Sequence, residues 1–131
     1  MIIDSSAIVA ILNDEPEALD FLQAIKSTPD RRISAVTYFE SGVVIDSQAD
    51  PILSRNLDLF IAEAGIEIEP VSVEQARIAR DAYRDFGKGS KHPAKLNFGD
   101  CFTYALASTA RQPLLFKGND FVHTDIKPAL E

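Results

Sequence analysis

The first seven residues, MIIDSSA (1–7), place a short apolar run directly before an acidic residue and two hydroxyl residues. The apolar run has the character of a buried strand, and Asp4 follows it at once. Ser5 or Ser6 can cap a helix whose apolar residues lie within 7–12. A strand that passes straight into a helix is the unit from which α/β folds are built, so this stretch predicts the fold class.

The same alternation of apolar run and helix recurs along the chain. Further strands are predicted at residues 32–34, 66–68 and 114–116, with a short edge strand near Ile126. The predicted helices cover residues 16–25, 35–46, 51 to a glycine cap at 65, 72 to 86, and 98–110. Strands that alternate with helices favour a parallel sheet with helices on both faces and right-handed crossovers.

Length and composition indicate an ordinary soluble protein. With 131 residues, the chain has about the size of one domain, so residues 1–131 are expected to form a single domain. The apolar runs are far shorter than a membrane span, and the N-terminus lacks the basic flank and cleavage site of a signal peptide. Cys101 is the single cysteine, which excludes an intrachain disulfide and a CxxC metal site. We therefore expect a cytoplasmic protein without a membrane partner.

Four acidic residues stand just past an apolar run or near the start of the helix that follows one: Asp4, Glu40, Asp100 and Asp120. If the runs are parallel strands, these carboxylates gather at the edge where open α/β sheets bind their ligands. Carboxylates 4 Å apart repel by roughly 1 kcal/mol per pair in water and about 4 kcal/mol at an effective dielectric of 20, so a cation is expected among them. Oxygen ligands suit Mg²⁺ or Mn²⁺ better than Zn²⁺. The pattern predicts a Mg²⁺-dependent phosphodiesterase.

Each of these acids also has an ordinary structural explanation. Asp4 can be a helix cap, and Asp100 can favour a helix dipole from the first turn. Glu40 can lie on the solvated flank of its helix, and Asp120 stands in a predicted turn, where Asp is common. Taken singly, the four acids therefore do not define a site.

Other polar residues near the acids have equally common roles. Ser6 is commonly a cap and Asn119 a turn former. Cys101 is expected to be a buried structural cysteine rather than a nucleophile, because no histidine stands at a suggestive position. His92 and His123 lie in loop-like sequence, are expected to be solvated, and are not assigned to the metal.

A basic segment, GKGSKHPAKL (87–96), leads directly towards Asp100 and contains no acid. The net charge of −7 disfavours nonspecific nucleic-acid binding, which depends on Lys and Arg displacing counterions from phosphates. Local charge matters more than the total, and Lys88, Lys91 and Lys95 are candidates to contact RNA phosphates. The alternative is a soluble loop without a binding role.

The opening MIIDSSA resembles the D-[ST]-[ST]-A start of PIN-domain ribonucleases, in particular the VapC-type toxins of type II toxin–antitoxin (VapBC) systems. The similarity continues in the family's order through SAVTYFE (34–40), LNFGDC (96–101) and LLFKGNDF (114–121). It spans essentially the whole chain. The resemblance implies a three-layer α/β/α sandwich around a short parallel sheet, the PIN-like fold.

Carried over by position, the resemblance implies that Asp4, Glu40, Asp100 and Asp120 form the acidic site, with the metal held mainly by Asp4 and Asp100. Ser6 matches a family hydroxyl that orients a carboxylate or a water. The implied cofactor is Mg²⁺, or Mn²⁺ in its place.

One motif departs from the family pattern. Many relatives have Thr, and then Asp or Asn two residues later, where this chain has Phe116 and Gly118. Asp120, with Asn119 beside it, is then the residue that this fourth motif supplies to the site. The choice between one and two metal ions stays open.

The resemblance implies an endoribonuclease that hydrolyses RNA phosphodiester bonds with a metal-activated water, leaving a 5′-phosphate and a 3′-hydroxyl. Its substrate would be structured RNA such as tRNA or rRNA. It also implies a homodimer and a cognate VapB-type antitoxin, whose Arg or Lys would pair with the acidic pocket.

Two other interpretations remain open on the sequence. A catalytically silent PIN-like module would bind RNA or a partner without cutting. A receiver-type signalling domain also gathers acids around Mg²⁺, but it needs paired acids near the first strand and a phosphoacceptor Asp after the third. Here Asp4 stands alone and the third predicted strand runs into Glu69 and Pro70.

Overall fold

The computed structural model describes residues 1–130. Six helices and four strands alternate along this part of the chain, as the sequence predicts. In chain order they are β1 (Ile2–Ile3), α1 (Ser5–Leu12), α2 (Ala18–Lys26), β2 (Arg32–Ser34), α3 (Ala35–Asp46), α4 (Pro51–Glu63), β3 (Glu67–Glu69), α5 (Val73–Phe86), α6 (Phe98–Ala110) and β4 (Leu114–Leu115). None of these helices has the length and apolar character that crossing a bilayer requires.

The four strands form one parallel sheet in the order β3-β2-β1-β4. Ile2 is in register with Arg32 on one side and with Leu114 on the other, so β1 is a central strand. Beyond β4 the tail adds a single parallel bridge between Leu114 and Pro128. The edge strand expected near Ile126 is thus reduced to this bridge.

Helices cover both faces of the sheet. Ile3 packs in one apolar cluster with residues of α1, α2 and α4, whereas Ile2 packs in a second cluster with residues of α5 and α6. Successive strand residues point to opposite faces, which is why two neighbouring isoleucines enter different clusters. The predicted α/β/α sandwich with a short parallel sheet is confirmed.

Local capping explains where most helices begin. Asp4 is the N-cap of α1, one residue before the predicted Ser5, because its carboxylate accepts the Ser6 N–H. Ser34, Asp50 and Ser72 cap α3, α4 and α5 in the same way. Of the three caps that the sequence offered for α1, Asp4 is therefore the one that the structure has, rather than Ser5 or Ser6, and an acid expected in the site also serves as a cap.

Helix ends and strand limits differ from prediction by one or two residues at three places. The helix predicted from Pro16 begins at Ala18, because residues 15–18 form a turn in which the Ala18 N–H binds the Glu15 carbonyl at 2.9 Å. Ile66 precedes β3, and Phe116 follows β4. Gly65, with φ of 63°, lies just past the end of α4, as predicted for a C-terminal glycine.

Candidate active site

Asp4 lies where β1 ends, at the carboxyl edge of the sheet. Its backbone N–H donates to the Leu115 carbonyl at 2.9 Å, which ties it to the neighbouring strand. The side chain is only 3% exposed, and three donors hold it. Oδ2 accepts from the Ser6 amide at 3.1 Å and the Ser6 hydroxyl at 2.7 Å, and Oδ1 accepts from the Thr103 hydroxyl at 2.9 Å. Three hydrogen bonds therefore fix this carboxyl group in position.

Thr103 is a site residue that sequence reasoning missed. It is fully buried on α6, and its hydroxyl lies 3.2 Å from that of Thr37 on α3. Thr103 stands three residues after Asp100, so both lie on one face of the helix. That spacing, a hydroxyl residue one turn after a candidate acid, was the signal available in the sequence.

Asp100 enters the site from the first turn of α6 and is 6% exposed. It forms a capping box with Asn97, in which Asp100 Oδ2 accepts the Asn97 N–H at 3.0 Å and Asn97 Oδ1 accepts the Asp100 N–H at 2.9 Å. The capping box occupies one carboxylate oxygen. Among residues 1–130, no donor is bonded to Oδ1 of Asp100, and this oxygen is not sealed from solvent.

The electrostatics of Asp100 show that the predicted acids converge. Its pKa is raised to about 7: burial raises it most, the hydrogen bond from the Asn97 N–H lowers it, and the charges of Asp4, Asp120 and Glu40 each raise it. Three acids that are distant in sequence thus lie within electrostatic reach of Asp100. Asp100 therefore takes part in the cap of its helix and also lies within electrostatic reach of three other acids.

Glu40 is half-buried and faces the site rather than solvent. Burial raises its pKa, the hydrogen bond from the Ser5 hydroxyl to Oε1 at 2.6 Å lowers it, and the charge of Asp4 raises it again. Gly99 makes room for this carboxyl group, since a Cβ added at Gly99 would lie closer than 3.0 Å to its carboxyl atoms. The sequence did not identify Ser5 or Gly99, because both act through contacts with a distant helix.

Asp120 lies on the exposed loop after β4 and adds its charge to the site from there. Gly118, with φ of 96°, adopts a backbone conformation that favours glycine. The Lys117 N–H donates to the Ser6 hydroxyl at 3.0 Å, which connects this loop to the group that holds Asp4. Asn119 is exposed, and within residues 1–130 its side chain makes no hydrogen bond to the acids.

The donor set suits a hard cation. It consists of carboxylate and hydroxyl oxygens without His or Cys ligands, and Asp100 keeps one oxygen free of protein donors. Across residues 1–130, no three His, Cys, Asp or Glu side chains lie close enough to enclose an ion by themselves. Mg²⁺ is commonly held by one or two carboxylates with retained waters, so an open arrangement of this kind fits it.

The basic segment forms a loop that is closed at its base. The Lys88 N–H binds the Leu96 carbonyl and the Leu96 N–H binds the Phe86 carbonyl, each at 2.9 Å. Lys88, Lys91 and Lys95 are exposed on this loop, which leads into the cap of α6. Within residues 1–130 none of the three forms a salt bridge. Their charges are therefore free to meet an anion.

The two histidines and the cysteine are not part of the acidic site. His92 is half-buried, packs edge-on against Phe86 and accepts the Ala94 N–H, so the expectation that it is solvated was wrong. His123 is exposed, as expected. Cys101 is buried, and burial, with the charge of Asp100, raises the pKa of its thiol to about 11. A protonated thiol of this kind is a structural residue and not a nucleophile.

Comparisons with known proteins agree with this fold. The PIN domain family matches residues 1–127. The chain is 56% identical over 131 residues to Ribonuclease VapC28 of Mycobacterium tuberculosis, covering 100% of this chain and 98% of the relative. It is 47% identical over 129 residues to Ribonuclease VapC42 of the same organism, covering 98% of each. The chain therefore belongs to the PIN-domain family and, within it, to the VapC ribonucleases of toxin–antitoxin systems.

Two solved structures share the fold at low sequence identity. VapC20 of Mycobacterium tuberculosis, a Sarcin–Ricin loop cleaving toxin, superposes with a TM-score of 0.77 at 12% identity and covers 95% of both chains. A chain of a toxin–antitoxin complex from Klebsiella pneumoniae superposes with a TM-score of 0.73 at 18% identity, covering 99% of this chain and 98% of that one. The receiver-type interpretation has no support from these comparisons.

Proposed function

We propose that this protein is a Mg²⁺-dependent endoribonuclease and the toxin of a VapBC pair, with Asp4, Glu40, Asp100 and Asp120 as its catalytic acids. The observation that carries the proposal is the environment of Asp100. Burial, together with the charges of three neighbouring acids, raises the pKa of this carboxyl group to about 7, and a divalent cation would stabilise its charged form. Mn²⁺ satisfies the same oxygen ligands.

The surroundings of each acid suggest its role in catalysis. Asp4, fixed by Ser6 and Thr103, and Asp100, with Oδ1 free of protein donors, would hold the metal. Bound there, Mg²⁺ lowers the pKa of a water and neutralises charge that develops on the scissile phosphate.

Glu40 is the proposed proton acceptor. Its Oε1 is occupied by the Ser5 hydroxyl, which orients Oε2 as the oxygen available to take the proton from the attacking water. The raised pKa of Glu40 favours this role because it brings the group closer to neutral pH. Asp120, on its exposed loop, would hold further waters, with Asn119 beside it. In-line attack would leave a 5′-phosphate and a 3′-hydroxyl.

The substrate is proposed to be structured RNA such as tRNA or rRNA, bound partly through the phosphate contacts of Lys88, Lys91 and Lys95. The Sarcin–Ricin loop activity of VapC20, which shares the fold, supports an RNA loop as the target. A water nucleophile does not use the 2′-hydroxyl of the substrate, so the preference for RNA must come from shape and from bases that can splay outward.

The partners are proposed to be a second copy of the chain and a VapB-type antitoxin, in the cytoplasm. The Klebsiella pneumoniae neighbour comes from a toxin–antitoxin complex, which supports the second partner. The acidic site itself favours inhibition by a cationic side chain, because an Arg or Lys among these carboxylates would form charge-assisted hydrogen bonds with them.

The proposal is tested by incubating the purified protein with total RNA from its host, with and without Mg²⁺, and mapping new 5′ ends. We expect cleavage with Mg²⁺, none with EDTA, and none with Asp4→Asn. Asp20→Asn is the matched control, since Asp20 is an exposed acid on α2, and it should cut like the parent protein. A folded protein that binds RNA but cuts none of it with Mg²⁺ or Mn²⁺ is a silent module, and the proposal then fails.

A further inference from the structure

An apolar groove of about 480 Å³ lies between α5 and α6, beside the acidic site. Its wall contains aromatic and cationic side chains, including those of Arg80, Tyr83, Lys88, Phe98 and Phe102. Of these five residues, only Lys88 has a role in the proposed function above.

The aromatic residues of this groove are unusually open to solvent. Phe98 is 74% exposed and Tyr83 is 48% exposed. Phe98 packs on Phe102, with ring centroids 5.2 Å apart and ring planes inclined by 56°. Large exposed aromatic side chains cost stability in water unless a ligand covers them, so this surface has the properties of a binding site.

The groove is flanked by positive charge. Arg80 and Lys88 line it, and neither forms a salt bridge with another of residues 1–130. By contrast, Arg84 on the same helix is paired with Asp81 and Asp85. The two free cations therefore complement an anionic ligand whose apolar part enters the groove.

The groove and the acidic site share the start of α6. Asn97 lines the groove and also forms the capping box with Asp100, and Phe98 is the next residue. An RNA strand whose phosphate lies at the acids would therefore cross only the start of α6 before a neighbouring base enters the groove.

We infer that this groove binds an unpaired nucleotide next to the scissile phosphate, with its base stacked on Phe98 and Tyr83 and its phosphate close to Arg80 and Lys88. Stacking on aromatic side chains accepts any base, so the groove selects for a base that has left its helix rather than for sequence. The inference rests on the proposed ribonuclease function and specifies the conformation of RNA that the site accepts.

Binding measured without metal separates this inference from the catalytic proposal. A short fluorescein-labelled single-stranded RNA, and an abasic strand of equal length, are titrated in EDTA with fluorescence anisotropy as the readout. We expect Phe98→Ala to weaken binding of the base-containing strand about tenfold and to leave binding of the abasic strand unchanged. Phe98→Tyr should restore the affinity, because a tyrosine ring also stacks.

Phe39→Ala is the matched control, since Phe39 is also a highly exposed phenylalanine (71%) and directly precedes Glu40, one of the proposed catalytic acids. It should bind both strands like the parent protein. Equal affinity of Phe98→Ala and the parent for the base-containing strand overturns the inference, even if RNA cleavage is intact. A change from dimer to monomer in Phe98→Ala, measured by sedimentation, assigns the groove to a second copy and overturns it as well.

Discussion

The hydroxyl of Thr103 on α6 donates to Oδ1 of Asp4 at 2.9 Å, which connects the helix that contains one site acid to the strand end that contains another. Thr103→Val keeps the shape of the side chain and removes this donor. Because Asp4 is buried, losing a hydrogen bond to its charge should lower the free energy of unfolding by about 1.5–3 kcal/mol. Urea unfolding measures the change.

Thr109→Val on the same helix is the control for this substitution. The Thr109 hydroxyl binds only backbone carbonyls of its own helix, at Ala105 and Leu106. Its loss should change stability by less than about 1 kcal/mol. If the two valine substitutions lower the free energy of unfolding equally, the hydrogen bond to Asp4 contributes no more to stability than the bonds of Thr109 do.

Gly99→Ala should reduce cleavage with little loss of stability. The new methyl group would meet the Glu40 carboxyl, which must turn away and leave the Ser5 hydroxyl, while alanine itself favours the helix by about 1 kcal/mol. We expect a cleavage rate at least about tenfold lower, consistent with the usual contribution of a positioned base. Gly42→Ala, whose Cβ would only touch Leu57 at 3.8 Å, should cut RNA normally and unfold at higher urea.

The free energy of unfolding should fall as pH rises through the range in which Asp100 ionises. The folded-state pKa is about 7, against the ordinary value of 3.8, because of burial and the charges of Asp4, Asp120 and Glu40. Between these values the folded protein keeps a proton that the unfolded chain has released, so stability from this group is full below about pH 4 and declines up to about pH 7.

Asp100→Asn tests this pH dependence in urea unfolding without divalent ions. The variant should gain stability relative to the parent as pH rises from about 4 to 7, and the gain should level off above that range. Asp20→Asn, on an exposed surface, should show a constant difference over the same range. A gain for Asp100→Asn that does not change with pH would contradict the raised pKa.

Adding Mg²⁺ should raise the melting temperature, because a ligand that binds only the folded protein stabilises it. At an ion concentration about one hundred times the Kd, the expected stabilisation is about 2.7 kcal/mol. Calorimetry at pH 8 measures this shift in the absence of RNA. Asp100→Asn should lose most of the shift and Asp20→Asn should keep it; a parent protein that melts at the same temperature with and without Mg²⁺ does not bind the ion.

Lys95→Gln should reduce the salt dependence of RNA binding. If Lys95 contacts a phosphate of a single strand, its removal lowers the slope of log K against log salt by about 0.7. Lys26→Gln, which removes a lysine from the last turn of α2, should leave the slope unchanged. Identical slopes for Lys95→Gln and the parent would place the basic loop outside the RNA contact.

The sequence was sufficient for the features that depend on local chemistry or on sheet topology. β1 and β4 were predictable from short apolar runs, and the proximity of Asp4 to Asp100 was expected from parallel strands that end at one edge. Thr103, Ser5 and Gly99 were not predictable in the same way, because each acts through a contact with a distant part of the chain. The sequence offered Asp4, Ser5 and Ser6 as caps of α1 and could not choose among them, because all three have suitable side chains.

The pairing of the tail with β4 has a consequence for the fourth acid. Two backbone hydrogen bonds join Leu114 to the C-terminal tail. The Leu114 N–H donates to the Lys127 carbonyl at 2.9 Å, and the Leu114 carbonyl accepts the Ala129 N–H at 2.8 Å. The loop that contains Asp120 is thereby anchored at both ends to a single strand residue. Truncation before Lys127 would remove these two hydrogen bonds, and we expect it to let the loop of Asp120 move without removing any of the proposed catalytic acids.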